Sequence, residues 1–227
     1  MKIGIICASD EELMPFLSAI LNDNIYEKAM LTFHEGKIGD ATVVALFSGV
    51  GKVNAAVATQ ILIDCFEVNA VINSGTAGAI DEKLNILDTV IATECCYHDV
   101  SQDILTEFHP WMKTVFFESS ASLLEQSKNA VSKLGFHNVY YGRMVTGEAF
   151  ILNDGREKII QEFSPLSVDM ETASIAHACY VNGIPFLSVR CITDTAEHSG
   201  SEQFEKNCAR ASAIAATLII EIIKNTV

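Results

Sequence analysis

The sequence predicts a three-layer α/β/α fold, with helices covering both faces of a mixed, mostly parallel sheet. Short β-branched apolar runs alternate along the chain with longer stretches of helical periodicity. Most of those runs end in a turn that carries glycines or carboxylates. Composition agrees: 49% of the 227 residues are apolar and 19% are charged, against roughly 25% charged in an ordinary domain. That balance suits a sheet buried on both faces and fits an oligomer interface as well.

Taken in order, Lys2 to Ala8 reads as a buried strand and Glu11 to Leu21 as a helix. Ala41 to Phe47 is a strand ending in Ser48-Gly-Val-Gly-Lys52, followed by an alanine-rich helix from Val53 to Phe66. Val68 to Asn73 is a strand that breaks into the turn Ser74-Gly-Thr-Ala-Gly78. Leu87 to Ala92 and Val139 to Val145 are further strands. Asp169 to Val181 reads as a helix stopped by Asn182-Gly183, and Pro185 opens the strand Phe186 to Ile192. Ser199-x-x-Glu202 has the spacing of a capping box for a final helix reaching about Lys224. No repeat, low-complexity tract or linker divides the chain, so residues 1–227 are expected to form one domain.

Fifteen Lys and Arg stand against 29 Asp and Glu, a formal charge of −14. A nucleic-acid partner calls for a basic face, and none is present. A membrane partner fares no better. The scattered cations form no basic amphipathic helix, and the apolar stretch Ala213 to Ile223 carries Glu221 and is too short to span a bilayer. The opening MKIGIICASDEE lacks the apolar core of a signal peptide. Seven cysteines with no C-x-x-C argue against a disulfide framework or a zinc site. A cytoplasmic protein with free thiols, and without metal or cofactor, is the expectation.

In open α/β sheets ligands collect beyond the carboxyl ends of the strands. Those ends offer Ser9-Asp-Glu-Glu12, Ser48-Gly-Val-Gly51, Ser74-Gly-Thr-Ala-Gly78, Thr146-Gly-Glu-Ala-Phe150 and Thr193-Asp194. Carboxylates, hydroxyls, glycine turns and an aromatic together suit a small polar molecule with a flat ring. Singly, each has a plainer reading. Asp10, Glu11 and Glu12 favour a helix N-terminus, Asp194 could cap a helix, Phe150 could be core, and His177 sits among alanines as a core histidine would. Gly49-x-Gly51 is a common strand-to-helix turn. A dinucleotide fingerprint needs Gly-x-Gly-x-x-Gly after the first strand, where Cys7-Ala-Ser-Asp-Glu-Glu12 stands instead. The block Ser167-Val-Asp-Met-Glu171 and the strand carrying Arg190 and Asp194 add a cation, more acids and a thioether at one sheet end. Such a set is costly to bury without partners.

Several ordered motifs carry a resemblance. Val168-Asp-Met-Glu171, Val189-Arg-x-x-x-Asp194, Ser48-Gly-Val-Gly-Lys-Val53 and Asn73-Ser-Gly-Thr-Ala-Gly78 resemble those of the nucleoside phosphorylase superfamily. The opening Lys-Ile-Gly-Ile-Ile-x-Ala-x-x-Glu-Glu12 and Val145-Thr-Gly-Glu-Ala-Phe-Ile151 resemble its bacterial 5′-methylthioadenosine/S-adenosylhomocysteine nucleosidases. The likeness runs from residue 1 to about 99 and from about 139 to the end.

The resemblance implies a nucleoside phosphorylase-like fold and hydrolysis of a purine–ribose bond. Asp194 would protonate N7 of the leaving base, oriented by Thr193, and Glu12 would be general base on the attacking water. Thr76, with Ala77 and Gly78, and Arg190 would hold that water or the ribose. Glu171 would take the ribose hydroxyls, Met170 would pack on the sugar, Phe150 would stack on adenine and the backbone of Ile151 would read its edge. It implies a homodimer with a shared active site.

Two alternatives stay open: a phosphorylase and a catalytically idle nucleoside-binding module. Against phosphorolysis, the turn at Thr76-Ala-Gly78 brings no arginine for phosphate, Lys52 and Arg143 being the nearest cations by sequence. Against the idle module stands the presence of all three acids. One stretch departs from the family pattern. Where the nucleosidases carry an aromatic, glycine-containing loop that lines the 5′-alkylthio site, this chain reads Val100 to Met112, with Phe108 and Trp111 as candidate substitutes. The 5′ substituent is therefore open among methylthioadenosine, S-adenosylhomocysteine, 5′-deoxyadenosine and aminodeoxyfutalosine.

Overall fold

The computed structural model describes residues 1–108, 110–151, 153–198 and 200–226. Among them are ten strands and seven helices. In chain order these are β1 (Lys2–Cys7), α1 (Asp10–Leu17), β2 (Leu21–Lys28), β3 (Leu31–Ile38), β4 (Ala41–Phe47), α2 (Lys52–Phe66), β5 (Ala70–Ala79) and β6 (Thr89–Tyr97). There follow α3 (Gln102–Glu107), β7 (Phe117–Glu118), α4 (Ala121–Leu134), β8 (Val139–Thr146), α5 (Asn153–Phe163), β9 (Ser167–Asp169), α6 (Thr172–Asn182), β10 (Phe186–Asp194) and α7 (Ser201–Lys224).

The sheet is mixed. β4, β1, β5 and β10 run parallel through its centre, and β6, β8 and β9 run parallel to one another. Antiparallel pairings of β10 with β6 and of β9 with β5 close β5, β10, β6, β8 and β9 into a ring. Beyond β4, the β2–β3 hairpin forms an antiparallel edge. Side-chain alternation sorts the core. Ile3, Ile5 and Cys7 point to the face covered by Phe16 of α1, Ala130 of α4 and Leu218 of α7, while Ile6 faces Ala58 and Leu62 of α2 and Ala176 of α6. Ile159 and Phe163 of α5 close one end of the ring against Ile80, Val145 and Val168.

Three expectations change, and one hairpin appears where none was read. The expected helix to Leu21 stops at Leu17, and Leu21 begins β2 instead. The hairpin turn is Ala29-Met30, both residues in the left-handed region at φ 52° and 63°. Such turns normally carry Asn-Gly, so the usual sequence signal is missing. The expected turn at Ser74–Gly78 is strand: β5 continues to Ala79 because β10 and β9 pair along it. Ser167–Asp169 belongs to β9, and α6 begins only at Thr172. Ser199 of the expected capping box lies outside the described residues.

Candidate active site

β5 and β10 run on together past the end of β1, and the site is built at the end of β1 and along the carboxyl-terminal halves of the other two. Ser9 caps α1, its hydroxyl accepting from the Glu12 amide at 3.3 Å. This turns Glu12, 3% exposed, back over β5. Glu12 Oε1 accepts from the amide and hydroxyl of Thr76 at 2.8 and 2.9 Å, and Oε2 accepts from the Ala8 amide at 2.7 Å. Three donors fix the carboxylate and leave it acceptor capacity toward the cavity. Gly75 makes the approach possible. A Cβ there would stand 2.6 Å from both Glu12 Oε1 and Arg190 Nη1.

Arg190, 1% exposed, is paired from within. Its Nε lies 3.1 Å from Asp169 Oδ2 and its Nη2 lies 3.2 Å from Glu171 Oε2, while Nη1 donates to the Thr76 carbonyl at 3.1 Å. Burial would lower its pKa, but Asp169, Glu171 and Glu12 together raise it, so the guanidinium is a permanent cation. Asp169 anchors the start of α6, accepting from the Thr146 hydroxyl at 2.6 Å and from the amides of Glu171 and Thr172. Glu171 accepts from the amide of Gly51 at 2.9 Å, which ties the glycine turn after β4 to the site. Gly51 holds φ 101°, a conformation that glycine takes without strain. Burial raises the Glu171 carboxyl above the usual range, partly offset by Arg190.

Asp194 ends β10. A register shift between Ile192 and Asp194 breaks the strand's alternation, so the consecutive Thr193 and Asp194 both face the cavity. The Thr193 hydroxyl donates to Asp194 Oδ1 at 2.8 Å. Burial pushes the Asp194 carboxyl up, and the Thr193 hydroxyl and the Arg156 cation pull it back only in part. A carboxyl raised in this way keeps its proton closer to neutrality than an exposed one.

A cavity of about 250 Å³ joins these groups. Glu12, Thr76, Ala77, Gly78, Phe150, Ile151, Met170, Glu171, Arg190, Thr193 and Asp194 all line it, so every residue to which the resemblance gives a role comes to one place. Phe150, 46% exposed, stands at the rim as an available stacking surface and not as core. Lys52 and Arg143 do not line the cavity. Lys52 pairs with Asp99 at 2.9 Å, and Arg143 pairs with Glu94 at 2.7 Å while covering the Phe116 ring. Phe108 and Trp111 are exposed and do not line it either. His177 is a half-buried histidine beside the core, stacked on Phe117 and 3.2 Å from the Tyr97 hydroxyl. The sequence reading missed Ser9, Val50, Arg156 and Phe204 as wall residues. Ser9 and Val50 lie within the strand-end motifs Ser9–Glu12 and Ser48–Gly51, though neither was singled out. Arg156 and Phe204 come from amphipathic helices whose sequences carry no site signal.

Fold and site together define an α/β enzyme with buried carboxyl groups and a paired arginine gathered around one small-molecule cavity. The sequence profile of the phosphorylase superfamily matches residues 2–224, and the chain belongs to that superfamily. It is 36% identical to a 5′-methylthioadenosine/S-adenosylhomocysteine nucleosidase of an Exiguobacterium species, over 99% of this chain and 98% of the relative. The S-adenosylhomocysteine nucleosidase of Streptococcus pyogenes, solved in complex with 5-methylthiotubericidin, superposes with a TM-score of 0.92 at 30% identity, covering 100% of this chain and 98% of that one. The futalosine hydrolase of Helicobacter pylori superposes with a TM-score of 0.90 at 27% identity, covering 98% and 97%.

Proposed function

We propose that this enzyme hydrolyses the N-glycosidic bond of 5′-substituted adenine nucleosides, 5′-methylthioadenosine and S-adenosylhomocysteine, to adenine and the thioribose. The observation that carries the reading is the pairing of two buried carboxyl groups in one cavity, Glu12 held by three donors and Asp194 raised by burial. As the bond from C1′ to N9 opens, its electron pair moves into the purine and the sugar becomes oxocarbenium-like. Asp194, oriented by Thr193, gives its proton to N7. Glu12 takes a proton from the attacking water, whose oxygen bonds to C1′. Each acid helps by about 10²–10⁴ in rate. Glu171 accepts from the ribose hydroxyls and Met170 packs on the sugar. Thr76, Ala77, Gly78 and Arg190 shape the floor beneath water and ribose. Phe150 stacks on the base and the Ile151 backbone reads its edge.

Water is the nucleophile in this reading because Glu12 stands where phosphate would place its charge, and Arg190 is already paired with two carboxylates. The enzyme functions as one domain spanning residues 1–227 and as a homodimer. The dimer is supported by large apolar side chains left exposed at Val53, Val57, Phe108 and Trp111. It works in the cytoplasm, in keeping with seven free cysteines. No helix among the described residues is long and apolar enough to cross a membrane.

A panel of 5′-methylthioadenosine, S-adenosylhomocysteine, 5′-deoxyadenosine, aminodeoxyfutalosine, inosine and uridine, assayed with and without phosphate, tests the reading. Adenine and a free sugar are expected without phosphate, with the thio-substituted nucleosides preferred. Release that requires phosphate and yields a sugar 1-phosphate would overturn it.

A further inference from the structure

The hydrolytic reading gives no part to Arg156, and the inference that follows rests on that reading. Arg156 lies on α5, is 9% exposed and lines the cavity together with Asp194. Its Nη2 donates to the Ala79 carbonyl and, at 3.4 Å, to that of Ile80. Gly78, the residue before Ala79, is the register partner of Asp194. A Cβ on Gly78 would stand 3.0 Å from Asp194 Oδ2. The guanidinium is thus bonded to the Ala79 carbonyl and the carboxyl lies over Gly78, the preceding residue of the same strand, on one cavity wall. Arg190 has two ion-pair partners, whereas no carboxylate among the described residues closes to ion-pair distance on Arg156. Among the described residues the Arg156 guanidinium hydrogen-bonds only to neutral carbonyls, so it keeps charge available to interact with an anion formed beside it.

We propose that Arg156 is a positioning residue for leaving-group protonation, its fixed charge stabilising the Asp194 carboxylate that forms when the proton passes to the base. The bond from C1′ to N9 breaks toward the purine, the proton leaves the Asp194 carboxyl for N7, and the negative charge left on Asp194 faces Arg156. Solvent returns the proton after the base departs.

The surroundings of Asp194 leave Arg156 as its principal charged neighbour. Its own strand contributes the Thr193 hydroxyl at 2.8 Å. β5 contributes Gly78 and no ionisable group from Ser74 to Ala79. α7 contributes Phe204 to the wall and Asn207, which donates to the Thr193 carbonyl at 2.8 Å. Glu12, Glu171 and Arg190 cluster around Gly75 and Thr76, further back along β5. The exposed Glu82, in the segment after β5, adds a negative charge that acts on Arg156. Burial raises the Asp194 carboxyl, and Arg156 opposes that rise.

The test compares wild type with Arg156→Gln, which keeps a donor for the carbonyls without the charge, and with Arg156→Lys, which keeps the charge. With the cation gone, Asp194 holds its proton to higher pH but parts with it less readily. For Arg156→Gln, kcat on 5′-methylthioadenosine is expected to fall about tenfold, with KM little changed and the alkaline limb of kcat displaced to higher pH. Arg156→Lys is expected to keep the limb at its wild-type position. Should the Gln variant not fold, Arg156→Met serves as the neutral comparison. A limb that stays put or moves to lower pH in the neutral variant, or a rise in KM alone, overturns the proposal. Calorimetric titration of adenine over the same pH range reads the same charge effect without turnover. A wild type that binds adenine without releasing it from any nucleoside refutes the hydrolytic reading, and the pH dependence of binding still judges Arg156. A wild type that does neither refutes both.

Discussion

Replacing Glu12 with Gln separates the chemistry of this residue from its structural part, because its three hydrogen bonds are unequal in what an amide can replace. The Gln oxygen can still accept from the Thr76 amide and hydroxyl, as Oε1 does at 2.8 and 2.9 Å. The amide nitrogen then falls where Oε2 accepts from the Ala8 amide at 2.7 Å, so two donors meet. Flipping the amide rescues Ala8 and sets the conflict against two donors instead. One charge-assisted hydrogen bond is lost in a site 3% exposed, worth about 1.5–3 kcal/mol. For a chain of this size each 1 kcal/mol moves Tm by roughly 2–4 °C, so a drop of about 3–12 °C is expected, with a folded protein remaining. Adenine release should fall by about 10²–10⁴ as the base is removed. Thermal unfolding and single-turnover release on one preparation give both numbers. Wild-type activity in a destabilised variant would refute Glu12 as the base, and an unchanged Tm would refute the hydrogen-bond geometry.

Asp194→Asn should likewise abolish adenine release, with the opposite effect on stability. A carboxyl whose folded pKa is raised contributes stability below the ordinary carboxylate range and loses it as pH rises through the folded value. The variant should therefore melt higher than wild type at neutral and alkaline pH, the difference vanishing in acid; a lower Tm at neutral pH would count against the burial argument. Gly75→Ala should cost about 1–3 kcal/mol and most of the activity, because its Cβ would displace the bonded ends of Glu12 and Arg190. A Gly75→Ala enzyme with wild-type kcat would show that neither end needs its present position.

Legibility followed locality. β4 was readable to the residue, and the strands β1 and β8 and the helices α2 and α7 to within a residue or two, because each rests on apolar periodicity and a nearby stop. The β2–β3 hairpin was not, since Ala29 and Met30 take left-handed φ with no Asn or Gly to announce it. α4 and α5, with their mixed polar sequences, gave no sufficient signal either. For the site, short motifs at strand ends pointed to eleven residues, and the fold gathers all eleven around one cavity.

By itself, the sequence determined the alternation of strands and helices, the acids at the strand ends and the resemblance that joined them. Tertiary structure alone decided that Ser74–Gly78 is strand, because pairing with β10 and β9 overrides a glycine-rich composition. It alone set the register shift that turns both Thr193 and Asp194 inward, and it alone brought Arg156 from a polar helix to the wall beside Asp194. Hydrogen-bond partners and charge neighbours from distant segments fix these features, and no local window of sequence contains them.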